Sequence, residues 1–101
     1  MGITKAEALK AVDRERGPVC EASDRIWDQP ETAFQEFHST DVLCELLEKE
    51  GFRVEKNLAG IATAFSGTYG SGKPVVGILG EFDALSGLSQ ESESLEKTAL
   101  V

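Results

Sequence analysis

The sequence predicts an α/β fold in which N-terminal helices are followed by a mixed sheet, as an incomplete piece of a larger domain. Three observations predict this. Apolar residues first recur at helical spacing, short alternating or continuous apolar stretches come later, and no further helix or strand pattern follows residue 90. A parallel or mixed sheet is normally covered on both faces, so the predicted domain lacks part of its core.

The first predicted helix begins near Lys5, because Thr4 and Glu7 have the spacing of a capping box. Apolar residues then recur at near-heptad spacing and define one stripe. The residues of this stripe are Leu9, Val12, Val19 and Ile26. Trp27, at the end of the stripe, is predicted to lie in the core.

A glycine–proline pair interrupts this first helical pattern at residues 17–18. Proline is tolerated in the first turn of a helix but costs about 3 kcal/mol in the interior. The pattern therefore predicts either two helices, about 5–16 and 18–28, or one helix that is kinked at Pro18. The unbroken phase of the stripe favours the single kinked helix.

A second helix is predicted over about 32–50, with Gly51 at its C-terminal cap. The apolar residues with helical spacing are Phe34, Phe37, Val42, Leu43, Leu46 and Leu47. Residues 52–56 alternate in polarity and predict a short strand. Residues 62–69 predict a second strand, built from small residues.

Residues 74–79 (PVVGIL) predict the central strand, which a hairpin turn at 70–73 joins to the strand before it. Glu81 and Asp83 follow where this strand is expected to end. In open α/β sheets, ligands bind at the carboxyl ends of the strands. A carboxylate there can hold a metal, orient a ligand or take a proton. The alternative is that both are solvated turn residues.

The charge and the cysteines restrict the class of protein. The formal net charge of the 101 residues is -8, which argues against a nucleic-acid or anionic-membrane surface. Cys20 and Cys44 both fall in helical patterns and are predicted to be buried and reduced. No apolar run approaches a membrane span and no signal peptide opens the chain, so a cytoplasmic location is expected.

Three other polar residues are candidates for a functional role. His38 is the sole histidine, and a zinc site normally needs several nitrogen or sulfur ligands, so it is predicted to be a helix-surface residue. Glu31 and Glu36 flank a turn and a helix start, where carboxylates commonly act as caps or solvated charges.

Two segments together resemble the start of zinc-dependent amidohydrolases of the aminoacylase and carboxypeptidase type. They are residues 26–36 (IWDQPETAFQE) and 77–90 (GILGEFDALSGLSQ), in the family's order and separation. The resemblance covers about residues 20–90. It implies a larger α/β metallohydrolase catalytic domain, of which residues 1–90 are the N-terminal portion and residues 91–101 a polar tail.

The resemblance also implies site residues and a cofactor. Asp83 matches an active-site aspartate that faces the metal or holds its ligands, and it is the predicted catalytic residue. Glu81 stands where many members carry a metal-binding histidine, and it is the weaker candidate for a metal ligand. The family's Cys–His pair, its general-base glutamate and its further histidines lie beyond this stretch. A divalent metal, zinc, is thus implied for a full-length parent, with none expected in this chain alone.

The function implied by the resemblance is cleavage of the amide bond of an N-acyl or N-aroyl amino acid, or of a small dipeptide. The implied partners are a small-molecule amide substrate and further protein chains, in a homo- or hetero-oligomer formed through sheet edges or a separate dimerisation domain. By itself the fragment is expected to be inactive.

An alternative from another class is a small acidic α/β binding or interaction module without catalytic activity. Glu81 and Asp83 would then bind a divalent cation or accept a phosphoryl group. A receiver-like domain of that kind needs alternating strand–helix units. The predicted order of two helix patterns followed by strands does not match it.

Overall fold

A computed structural model of the chain describes residues 2–88 and residue 96. Its elements, in order, are α1 (Lys5–Asp28), α2 (Phe37–Lys49), β1 (Arg53–Lys56), a single 3-10 turn (Leu58–Gly60) and β2 (Phe65–Thr68). The α/β class, with the helices first, is confirmed. The polar tail predicted for residues 91–101 lies outside the described residues, apart from Glu96.

Helix α1 begins as predicted and continues as a single helix through Pro18. The backbone N–H of Glu7 donates to Thr4 Oγ1 at 3.1 Å, which caps the first turn. An interior proline lacks its amide hydrogen and its ring crowds the carbonyl four residues before it, yet the 24-residue helix continues across Pro18. Of the two alternatives, the single helix is the one observed, and its kink at Pro18 stays a prediction.

The apolar stripe of α1 is largely uncovered in the described part of the chain. Leu9, Val12 and Val19 are 53–67% exposed, and Trp27 is 44% exposed, so its predicted place in the core is wrong. Cys20 on the same helix is also exposed, contrary to expectation. The helix contributes Ala22 to the core, while other parts of its apolar surface face outward.

Helix α2 begins five residues later than predicted, at Phe37. Phe34 has φ of 67°, a left-handed conformation that a right-handed helix cannot include. The end of α2 is as predicted. Gly51 has φ of 91°, and its N–H donates to the carbonyl of Glu48 while the N–H of Phe52 donates to that of Leu47. These two bonds form the glycine-terminated Schellman motif.

Strands β1 and β2 pair in antiparallel fashion, from Arg53 opposite Thr68 to Lys56 opposite Phe65. Helix α2 packs on this pair and supplies the most deeply buried residues, among them Val42 and Cys44, each 1% exposed. The buried hydroxyl of Thr40 donates to the carbonyl of Thr63 at 2.9 Å and joins α2 to the segment before β2.

The approach of α2 to β2 depends on a glycine. A Cβ atom at Gly67 would lie 3.0 Å from Leu47 Cδ1, which is closer than most carbon atoms pack. The absence of a side chain at Gly67 therefore allows the helix to lie directly on the strand.

The third strand predicted at 74–79 does not form within the described residues, and neither does the hairpin at 70–73. The sheet is a two-stranded antiparallel pair rather than a mixed sheet. Residues 75–79 are highly exposed; the fractions are 85% for Val75, 82% for Val76, 96% for Ile78 and 93% for Leu79. A strand exists only where another strand accepts and donates its main-chain hydrogen bonds, and residues 2–88 place no such strand beside 75–79.

Both cysteines are free, and Cys44 is buried as predicted. Among residues 2–88 and 96, no helix has the length and apolar character required to cross a bilayer.

Candidate functional site

The two predicted acidic residues lie in a segment without regular secondary structure, residues 81–84, which is held on either side of Asp83. The ring of Phe82 packs against the ring of Phe65 on β2, with 5.8 Å between their centroids. On the other side, the N–H of Ala84 donates to the carbonyl of Glu31 at 2.7 Å. Phe82 and Ala84 are half-buried, whereas Glu81 and Asp83 are exposed. The segment therefore presents its carboxylates to solvent and its apolar residues to the protein.

Glu31 connects this segment to the start of α2, because its carbonyl binds Ala84 and its carboxylate binds the helix. One carboxylate oxygen accepts the N–H of Ser39 at 2.7 Å, and the other accepts the N–H of His38 at 2.9 Å. The first amides of a helix have no partner within the helix, so this carboxylate satisfies two of them. The capping role expected for Glu31 is confirmed, although the residue acts from outside the helix.

Glu36 holds the turn that brings Glu31 to this place. It is buried, and its carboxylate accepts the N–H of Phe34, the residue with positive φ. Its side chain makes no capping bond to α2, even though it is the residue that precedes the helix. Glu36 therefore stabilises the turn, and Glu31 stabilises the start of the helix.

His38 is less exposed than the sequence suggests. It lies in the first turn of α2, is half-buried, and its Nε2 atom is enclosed without a hydrogen-bond partner in the described part of the chain. Its expected place on an open helix surface is therefore wrong in part. The identity of a lone histidine in a helical pattern does not reveal how far the folded chain encloses its ring.

The described residues do not form a metal site by themselves. Within 2–88 and 96, no cluster of three or more His, Cys, Asp or Glu side chains could hold a metal ion. A catalytic zinc site uses about three protein ligands and an open position. Asp83 and Glu81 therefore fit such a centre only as part of a larger set of donors.

The surroundings of Glu31 shift its acidity. Burial acts to raise the pKa of this carboxyl, but the amide hydrogen bonds from Ser39 and His38 favour the charged form and lower the pKa below its ordinary value of 4.5. Because the folded-state pKa is depressed, the carboxylate stabilises the fold fully above pH 4.5. That contribution disappears as the pH falls through the lowered value.

We therefore expect the free energy of unfolding of this chain to fall below pH 4.5, and part of that fall to be missing in Glu31→Gln. Urea unfolding followed by circular dichroism between about pH 3 and pH 6 measures it. Glu55→Gln, an exposed change on β1, is the matched control and should keep the parent profile. Identical profiles for Glu31→Gln and the parent would contradict the assignment.

One comparison with known proteins gives a clear relative. The chain is 43% identical over 90 residues to one subunit of the p-aminobenzoyl-glutamate hydrolase of Escherichia coli (strain K12). The match takes in 89% of the chain and 19% of the relative, so the chain spans about a fifth of that protein's length. No protein-family model matches the chain. The similarity confirms the resemblance inferred from residues 26–36 and 77–90, and confirms that it is partial.

Proposed function

We propose that this chain is the N-terminal part of the catalytic domain of a metal-dependent amidohydrolase. The observation that carries the proposal is the 43% identity to the p-aminobenzoyl-glutamate hydrolase polypeptide over 89% of the chain. In the proposal, residues 1–90 are the catalytic-domain portion and residues 91–101 a polar tail. The substrates are N-acyl or N-aroyl amino acids of the p-aminobenzoyl-glutamate type, or small dipeptides.

Asp83 is the proposed active-site acid of this chain. Its side chain is exposed on a segment fastened by both neighbouring residues, so a substrate or a donor group from the rest of the domain can reach it. Glu81, exposed on the same segment, is the weaker candidate for a metal ligand. Together with ligands from a longer polypeptide, Glu81 would help to hold a divalent metal, zinc in this proposal, which would supply Lewis-acid polarisation of the amide carbonyl and a water molecule of lowered pKa. The remaining ligands and the general base belong to a longer polypeptide.

The exposed apolar stretch supports a larger parent. Val75, Val76, Ile78 and Leu79 are 82–96% exposed. Such a stretch suits a strand in the interior of a sheet whose other strands come from further along the polypeptide. We propose that the fragment alone is inactive for this reason. Two free cysteines suit the reducing cytoplasm, and assembly into a homo- or hetero-oligomer is proposed for the parent.

The test uses the native polypeptide that contains this chain, purified from its source, beside the 101-residue chain alone. We expect the native polypeptide to release p-aminobenzoate from p-aminobenzoyl-glutamate or to hydrolyse N-acetyl amino acids. A chelator should abolish the activity and added Zn²⁺ should restore it, whereas the chain alone should show none.

Two outcomes would overturn the proposal. Hydrolysis that survives complete metal removal would contradict metal dependence. A native mass of 10.9 kDa with no hydrolysis of any of these amides would instead favour the small acidic binding module.

A further inference from the structure

We propose that Glu31 is a positioning residue for Asp83. Its side chain is bound to the start of α2, and its main-chain carbonyl holds the residue that follows Asp83. The inference rests on the proposed function, because it assigns to Glu31 the placement of the acid that the function uses.

The side chain of Glu31 is held in both position and orientation. Each of its two oxygens accepts one of two successive amides, from His38 and Ser39. Two bonds to different oxygens restrict rotation about the last side-chain torsion, which one bond would leave free. The location of residue 31 is thereby tied to the first turn of α2, the helix that carries the buried core residues.

The main chain of Glu31 links the start of α2 to the acidic segment, residues 81–84. Its carbonyl accepts the N–H of Ala84 at 2.7 Å, a short bond between parts of the chain that are far apart in sequence. Phe82, on the other side of Asp83, rests on Phe65. The backbone beside Asp83 is therefore held by an aromatic contact before it and a hydrogen bond after it, and Glu31 accepts that bond.

The chemistry of residue 31 allows a graded test. In Glu31→Ala, both carboxylate bonds to α2 are lost and residue 31 is free to shift together with its carbonyl. In Glu31→Gln, one acceptor oxygen remains, while the new NH₂ group faces an amide that also donates. Thr4→Ala is the matched control, because it removes a helix-capping bond of a similar kind at α1, and that bond does not involve the acidic segment.

The experiment uses the native polypeptide and two readouts. Hydrogen–deuterium exchange of the Ala84 amide should become at least about tenfold faster in Glu31→Ala, less so in Glu31→Gln, and stay unchanged in Thr4→Ala. The kcat for amide hydrolysis should fall about 10–100-fold in Glu31→Ala, with KM changed little, and recover in part in Glu31→Gln.

A double variant separates positioning from general damage. If Glu31 acts through Asp83, Glu31→Ala should lower kcat little further in a protein that already carries Asp83→Asn. Additive losses, an equal kcat loss in Thr4→Ala, or unchanged Ala84 exchange in Glu31→Ala would overturn the inference. Should Glu31→Ala not fold, Glu31→Gln carries the same comparisons. Should the parent hydrolyse no amide, the proposed function fails, while the exchange readout still decides whether Glu31 holds Ala84.

Discussion

Asp83→Asn in the native polypeptide is expected to lower kcat/KM for amide hydrolysis about 10–100-fold, the range found when groups that set the geometry of a metal site are removed. Asparagine keeps the shape of the side chain and removes its charge. Asp83 is exposed and lies between two half-buried neighbours, so the change should leave the fold intact. Steady-state kinetics with a thermal unfolding curve on the same sample measure both effects.

Two further variants control this result. Asp24→Asn changes an exposed aspartate on α1 by the same atoms and should keep full activity. Glu81→Gln should reduce activity less than Asp83→Asn, in keeping with its weaker candidacy as a metal ligand. Full activity in Asp83→Asn would remove this residue from the active site.

The second large effect concerns association of the 101-residue chain by itself. We expect it to self-associate at high concentration through the exposed stretch at 75–79, because an apolar segment without a strand beside it offers its main-chain groups to another copy. Val76→Lys with Ile78→Lys places two charges on one side of that stretch and should restore the monomer. Size-exclusion chromatography with light scattering over a concentration series measures the mass.

The exposed stripe of α1 provides the matched control for association. Val12 is 67% exposed on that helix, so Val12→Lys removes exposed apolar surface and adds a charge without touching residues 75–79. It should leave the association unchanged. A stable monomer for the unaltered chain, or a monomer produced by Val12→Lys alone, would contradict pairing through 75–79.

Features set by neighbouring residues could be predicted from the sequence. The cap at Thr4 and the glycine at position 51 each depend on hydrogen bonds within a few residues, and both occur as expected. The start of α2 could not be placed, because Phe34 takes a left-handed conformation in a turn held by the buried Glu36. The spacing of apolar residues alone does not reveal such a turn.

The candidate site likewise combines features that the local sequence predicts with features that depend on residues far apart in the chain. The pattern of an apolar run followed by two acids pointed to Glu81 and Asp83 together, and the family resemblance favoured Asp83. The predicted strand before them needs a partner strand that sequence periodicity cannot supply. The contacts that fix the acidic segment are long-range. They join Ala84 to Glu31 and Phe82 to Phe65, and no local spacing encodes either pair.

Gly67 has a consequence for the placement of the acid. The missing side chain there lets α2 lie against β2, with Leu47 directly opposite. The carboxylate of Glu31 is bound to α2, and Phe65, which supports the aromatic side of the acidic segment, belongs to β2 two residues before the glycine. Both residues that hold the backbone beside Asp83 are thus attached to elements that pack against each other: Glu31 is bound to α2, and Phe65 lies on β2. A single added methyl group at position 67 would crowd the side chain of Leu47, at the contact between α2 and the strand that carries Phe65.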